Sequence, residues 1–448
     1  MMADHLPRLL RLRPDRAAVY AASGTLLRFA TGPVTMIVIA TALNASEQGF
    51  YFTFFNVFAA YQLIEAGMGF VATQGIASRM QGIDLQDGAL TGDHHRIEAI
   101  HGRIGFVLIW FLLVGLLSAG PIYLGGQVLF HPETGVAWQT PWALYVAVSA
   151  AGIAMAALGG VLEGLQRPHL AFRAQLAGSV GSAVALWTCL AGGLGLYALP
   201  ISGACSTLIL GMLLIWPMRR IIPASITRYT RSPRDGCVEF VQIFRDGWPF
   251  FSRIAVTWIL GFFYWNTLSL VAFAAFGAVY AGQLGFSVAL LRVGLQFTES
   301  FLASQRGRLS ALLATSPRDA WVVFQSRGRI AHVVLVAGYL IFFAVYGILP
   351  EKLVGRMLPL DVMGIYAVAY LAMLYPLNAA LFLRCTGREV FFWYSLTLNV
   401  ALPAAILATA ALDQPLGVAI VFAVVHIAFV PWARSLISRA GPVDGSPG

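Results

Sequence analysis

"GTLLRFATGPVTMIVIATALN", residues 24–44, is long and apolar enough to span a bilayer, yet it carries Arg28 and Pro33. About 20 apolar residues cross the hydrocarbon layer. A permanent cation within such a run is expensive unless it meets a wet cavity, an anion or the headgroups. The stretch therefore reads as a membrane helix whose arginine has a task. "FFSRIAVTWILGFFYWNTL", residues 250–268, repeats the pattern with Arg253.

The rest of the chain agrees with a membrane reading. Of 448 residues, 58% are hydrophobic and 11% charged, where soluble domains carry about 25% charged residues. Arg8, Arg11, Arg13 and Arg16 before the first apolar run mimic a signal peptide. That run is longer than a signal core and holds Arg28, so it is expected to be a retained first span. Twelve stretches read as spans: 19–43, 48–78, 104–123, 142–163, 170–192, 195–217, 248–272, 276–304, 331–349, 361–382, 388–411 and 415–433.

Loop charge orients them. With the N-terminus in the cytoplasm, the outer segments hold only Lys352 and Arg356, and Arg28, Arg253 and Arg292 fall within spans. Every other cationic side chain falls on the cytoplasmic side, as the positive-inside rule requires. Both termini are thus expected inside. The net charge of +9 reports loop placement rather than nucleic-acid binding. The outer loops are short, which argues against a membrane enzyme working on the outer face. Cys189, Cys205, Cys237 and Cys385 are scattered and read as free thiols.

The two halves resemble each other. "VATQGIASRM" (71–80) matches "LASQRGRL" (302–309), pairing Gln74 with Gln305, Tyr61 with Arg292 and Glu65 with Gln296. "LEGLQR" (162–167) matches "LRCTGR" (383–388). Six spans repeated in parallel suggest two pseudo-symmetric lobes, 1–217 and 248–448, joined by a cytoplasmic linker, 218–247, that contains an interfacial helix. Transporters built from such repeats bind substrate between the halves.

"LNASEQGFYFTFFNVFAAYQLIEAGMGFVATQGIASR" (43–79), "LEGLQR" and "LRCTGREVFF" resemble the polysaccharide transporters, the Wzx-type lipid-linked oligosaccharide or O-antigen flippases of the multidrug/oligosaccharidyl-lipid/polysaccharide exporter superfamily. In the family's first outer turn this chain has Gln48 before Gly49 and no proline; Glu65-Ala-Gly67 matches the acidic residue before a glycine in the second span. The resemblance implies an all-α polytopic membrane protein of about twelve helices, with two six-helix lobes in a V-shaped exporter architecture. It implies a flippase, not an enzyme, that carries an undecaprenyl-diphosphate-linked oligosaccharide across the bacterial inner membrane by alternating access. The glycan would serve lipopolysaccharide, surface or exopolysaccharide biosynthesis, with the polyprenyl tail left in lipid between the lobes. Implied partners are the lipid-linked anionic glycan, membrane lipid, a glycan polymerase and glycosyltransferases; the candidate coupling ions are H+ and Na+.

The residues themselves supply the candidate chemistry. Arg28, Arg253 and Arg292 are substrate-binding candidates, because a guanidinium stays charged and can grip phosphate oxygens bidentately. The competing reading for each is snorkelling to the headgroups, or for Arg28 a pair with Glu65. Glu65 and Glu299 are candidate coupling or counter-ion carboxylates, with a solvated helix end as the plainer reading of Glu299. Pro33 removes a backbone hydrogen bond and is the gating candidate, against a static kink. "FFYW" (262–265) reads as an interfacial belt, or as a sugar-stacking platform. His426 reads as a packed residue, with proton transfer as the alternative. His94, His95 and His101 lack a metal-ligand spacing, so no metal is expected. No phosphate-binding glycine-rich loop with Lys is present, so no cofactor is expected and ATP is not the apparent energy source. The rivals are a multidrug or metabolite exporter of the same fold, a membrane glycan polymerase, ligase or acyltransferase, and a non-transporting scaffold.

Overall fold

The computed structural model describes residues 16–61, 68–131, 135–231, 233–386 and 389–440. Among them, nine helical stretches are long and apolar enough to cross a membrane. The helices are α1 (Arg16–Ala42), α2 (Ala45–Phe58), α3 (Met68–Ala77), α4 (His94–Phe130), α5 (Gln139–Gly164), α6 (Pro168–Ala191), α7 (Ala198–Ile215) and α8 (Ile221–Arg231). They continue with α9 (Pro233–Ala303), α10 (Arg306–Thr315), α11 (Pro317–Tyr346), α12 (Leu360–Arg384), α13 (Phe392–Ala410) and α14 (Pro415–Ala440).

α9 contains two of the expected spans. Its helical geometry breaks at Gly277, with φ 82° and ψ 174°, a conformation open to glycine alone at little cost. Trp265 and Arg292 lie on either side of that break and touch, so the two arms run antiparallel. With α1, and with α2 and α3 on either side of residues 62–67, the chain is an all-α polytopic membrane protein of about twelve membrane helices.

Several helices outrun their apolar cores. α4 begins at His94 and α11 at Pro317, well before the apolar runs start. Their first turns are rich in charged and polar residues, which keep the helical hydrogen-bond ladder in water where the bilayer ends. The stretch 237–251, expected to be an interfacial helix running into the seventh span, is helical and continuous with the rest of the first arm of α9. A two-stranded hairpin, β1 (Asp84–Gln86) and β2 (Ala89–Thr91), sits between α3 and α4, with Gln86 opposite Ala89. Asp87 and Gly88 turn it with φ of 49° and 78°, the positive pair that a tight two-residue hairpin demands.

The chain divides into two compact units. The first comprises 1–35, 58–128 and 137–259; the second comprises 36–57, 129–136 and 260–448. In the first, α3 lies on α5 at Gly160 and Gly164, where the Thr73 hydroxyl donates to the Gly160 carbonyl at 3.1 Å. Such small residues let membrane helices approach closely. α8 and the start of α9 pack on the beginning of α4. The Tyr229 hydroxyl donates to the Gly102 carbonyl at 2.6 Å, and Arg228 donates to Glu239 at 2.8 Å. The hydrogen bond from Arg228 to that carboxylate holds the guanidinium more firmly in its charged form.

In the second unit, Phe50, Phe54, Phe130 and Phe273 form one aromatic cluster with centroids 5.1–6.0 Å apart. Beside it, α2 crosses α9 backbone to backbone at Gly49, Ala278 and Gly282. Buried Gln48 donates to the carbonyls of Gly282 at 2.9 Å and Arg356 at 3.1 Å. Lys352 and Arg356 in turn donate to the carbonyls of Thr41 and Leu43, at 3.3 and 2.6 Å. The two cations of the expected outer loops thus cap the C-terminal end of α1, where the helix dipole is negative.

Candidate functional site

Arg292 lies on the second arm of α9, fifteen residues beyond Gly277, about 22 Å along the helix. Its guanidinium carbon sits 4.1 Å from the centroid of the Trp265 ring on the first arm. A cation over an indole face is attracted by the ring quadrupole, and one face of the guanidinium is thereby covered. Among the described residues, no carboxylate comes within 4.0 Å of it. The half-buried arginine therefore keeps the edge of its donor fork for another anion.

Glu299 is seven residues on, two turns along the same face of the same arm. The two lie about 10 Å apart along the helix and, among the described residues, form no ion pair with each other.

Tyr264 precedes Trp265, and their rings meet edge to face at 4.8 Å. The Tyr264 hydroxyl lies 2.8 Å from Nε2 of His426 on α14, and Nδ1 of His426 lies 2.6 Å from the Phe422 carbonyl. A carbonyl only accepts, so the imidazole carries its proton on Nδ1 and takes the tyrosine proton's hydrogen bond at Nε2. His426 is 3% exposed and both its nitrogens are engaged. This is the packed histidine that the sequence suggests, now with a named partner. Two members of the "FFYW" run thus have named partners, Tyr264 with His426 and the partly exposed Trp265 with Arg292.

The other candidates are placed as follows. Arg28 is on α1 and Arg253 on α9, but their side chains lie outside the described residues, as does Glu65 entirely. Pro33 is exposed within α1, and the first unit ends at Thr35, two residues later. Thr35 accepts a hydrogen bond from Trp187 on α6 at 2.9 Å. Proline removes the donor that the carbonyl four residues earlier would receive, so α1 is softened where it passes from one unit to the next.

Sequence reading missed the Trp265 and Tyr264 contacts because they depend on where α9 turns. It also gave Lys352 and Arg356 no role. Their partners lie some three hundred residues away, at the end of α1.

No family model matches the chain, and no curated protein does. Solved structures do. An inward-facing multidrug resistance MATE family transporter of the MOP superfamily is similar at TM-score 0.66 and 16% identity, covering 95% of this chain and 99% of that one. The chain has the fold of a MATE transporter. An outward-facing conformation of such a multidrug transporter is similar at TM-score 0.51 and 15% identity, over 96% and 97% of the two chains. A MOP superfamily transporter from Pyrococcus furiosus Vc1, described as having a binding pocket of reversed polarity that suggests a different function, is similar at TM-score 0.51 and 16% identity, over 95% of each. At these identities the likeness is one of fold.

Proposed function

We propose that this protein is an alternating-access membrane exporter whose substrate is an anionic lipid-linked oligosaccharide. The observation that carries the anionic part is Arg292, seated on Trp265 with no carboxylate within 4.0 Å among the described residues. An arginine inside a membrane protein is retained for a partner, and a diphosphate offers the oxygens its free donor edge fits. The neighbouring Trp265 indole is partly exposed and suits a sugar ring, which stacks on aromatic faces. The resemblance of residues 43–79 and of the two junction motifs to oligosaccharide flippases supports the same substrate class.

In this reading Arg28 and Arg253 hold the diphosphate at other stages of its path. Glu299 and Glu65 balance those charges or carry the coupling ion, and Pro33 lets α1 bend. Both termini lie in the cytoplasm of a bacterial inner membrane. Glycosyltransferases and a polymerase would act before and after the crossing.

A second reading, export of drugs or metabolites, is favoured by the inward- and outward-facing multidrug-transporter structures that share the fold. An unpaired arginine opposes a cationic drug, because like charges repel at a desolvated site. Reconstituted vesicles separate the two. Flipping of a fluorescent polyprenyl-diphosphate sugar by the wild type, lost in Arg292→Ala and partly kept in Arg292→Lys, supports the flippase. Efflux of a cationic dye unaffected by Arg292→Ala supports the drug exporter.

A further inference from the structure

A groove of about 260 Å³ runs between the second arm of α9 and α11, lined by Leu291, Gly294, Phe297 and Thr298 on one side and Leu335 and Gly338 among others on the facing side. Its polar groups are spent internally. The Thr298 hydroxyl donates to the carbonyls of Gly294 and Leu295, and the Tyr339 hydroxyl donates to that of Leu291 at 2.8 Å. The lining side chains thus offer hydrocarbon, with no hydroxyl free to donate. Two glycines make the shape. An added Cβ at Gly294 would lie 3.2 Å from the Tyr339 ring, so this glycine lets the helices approach; at Gly338 nothing lies within 4 Å, so this one leaves the space open.

The groove adjoins the arginine. Leu291 and Arg292 are consecutive, so the groove face and the guanidinium face of α9 are about 100° apart on one helix. We propose that this groove holds part of the isoprenoid chain of the lipid-linked substrate while its diphosphate is on Arg292. The proposal rests on the anionic-lipid reading above and adds a place for the tail. An amphiphile of this kind, one anionic head joined directly to a branched hydrocarbon, needs its two sites on adjoining faces. The chain leaves bilayer hydrocarbon for protein hydrocarbon, so the transfer gains packing rather than hydrophobic free energy. The groove therefore sets the orientation of the substrate more than its affinity. Residues around it, including Phe297, Val333, Leu340 and Ile341, are exposed and apolar, which leaves the chain's remainder in lipid.

The test is photolabelling of the full-length protein in phosphatidylcholine nanodiscs, with either a diazirine-tagged polyprenyl diphosphate or a diazirine-tagged phosphatidylcholine. The polyprenyl probe is expected to mark residues 334–342, to be displaced by untagged polyprenyl diphosphate, and to lose that site in Gly338→Phe but not in Gly338→Ala. Head-group binding in Gly338→Phe should weaken by only about threefold, because packing alone is lost. Equal labelling by both probes without displacement would overturn the proposal and make the groove a seat for bulk lipid. Displaceable labelling at another place overturns the groove but leaves the anionic-lipid reading standing. No displaceable labelling anywhere overturns both. The wild-type label position and its displacement decide the matter even if Gly338→Phe does not fold.

Discussion

Gly49→Ala is expected to part α2 from α9. The added Cβ would lie 2.6 Å from the Ala278 carbonyl carbon and 3.0 Å from its Cα, both backbone atoms that cannot swing aside. The Ala278 carbonyl oxygen is nearer still, so restoring an ordinary contact of 3.4 Å moves the helices apart by at least about 0.8 Å. The same movement stretches the hydrogen bond from Gln48 to Gly282, now 2.9 Å, beyond bonding distance. Overpacking costs about 1–3 kcal/mol and the lost buried hydrogen bond about 0.5–1.5 kcal/mol, so the variant should lose about 2–4 kcal/mol. Gly261→Ala is the control, since nothing lies within 4 Å of its Cβ position and a helical alanine gains about 0.5–1 kcal/mol over glycine. Thermal unfolding in detergent should show Gly49→Ala melting lower by about 2–4 °C, with Gly261→Ala unchanged or higher. A Gly49→Ala midpoint equal to that of Gly261→Ala would refute the close crossing.

Tyr264→Phe leaves Nε2 of buried His426 without its hydrogen bond, and should destabilise the protein by about 1–3 kcal/mol in the same assay. Trp265→Leu should weaken polyprenyl-diphosphate binding by about 0.5–2 kcal/mol, because Arg292 loses the ring that orients it; calorimetric titration in nanodiscs reads the change. The backbone N–H of Leu85, with help from Gln86 and Arg167, holds the Asp84 carboxyl below its ordinary value. Its contribution is therefore present above the ordinary carboxyl pKa and lost as pH falls through the lowered one. Asp84→Asn should thus separate from wild type in melting temperature near neutral pH, slightly, and converge with it in strong acid. Cys237 is exposed on the opening of α9 and should react with an impermeant maleimide in inside-out vesicles but not in intact spheroplasts.

Much of this fold is legible because membrane helices announce themselves. An uninterrupted apolar run has few alternatives in lipid. Arg292 stands out for the same reason, as a charge where charge is rare. Its platform does not stand out. Trp265 is one of several aromatics in "FFYW", and which of them turns toward Arg292 depends on the rotation of two arms about Gly277. The Tyr264–His426 contact joins residues on α9 and α14, 162 positions apart, and the Lys352 and Arg356 caps join still more distant ones. No local pattern encodes those pairings. The Asp87-Gly88 turn is the opposite case: its positive φ values follow from residue type alone, and the small hairpin could have been read from them. Helices extend past their apolar runs because hydropathy marks where the bilayer stops, not where the hydrogen-bond ladder stops.

The central claim is that an intramembrane arginine carries an anionic lipid-linked glycan across. The most direct measurement is the amount of lipid-linked glycan on the cytoplasmic face of cells that lack this protein, then of cells supplied with wild type, Arg292→Lys or Arg292→Ala at equal membrane levels. The account predicts accumulation that wild type clears, Arg292→Lys clears in part and Arg292→Ala does not clear. Full clearance by Arg292→Ala, or no accumulation when the protein is absent, would contradict it.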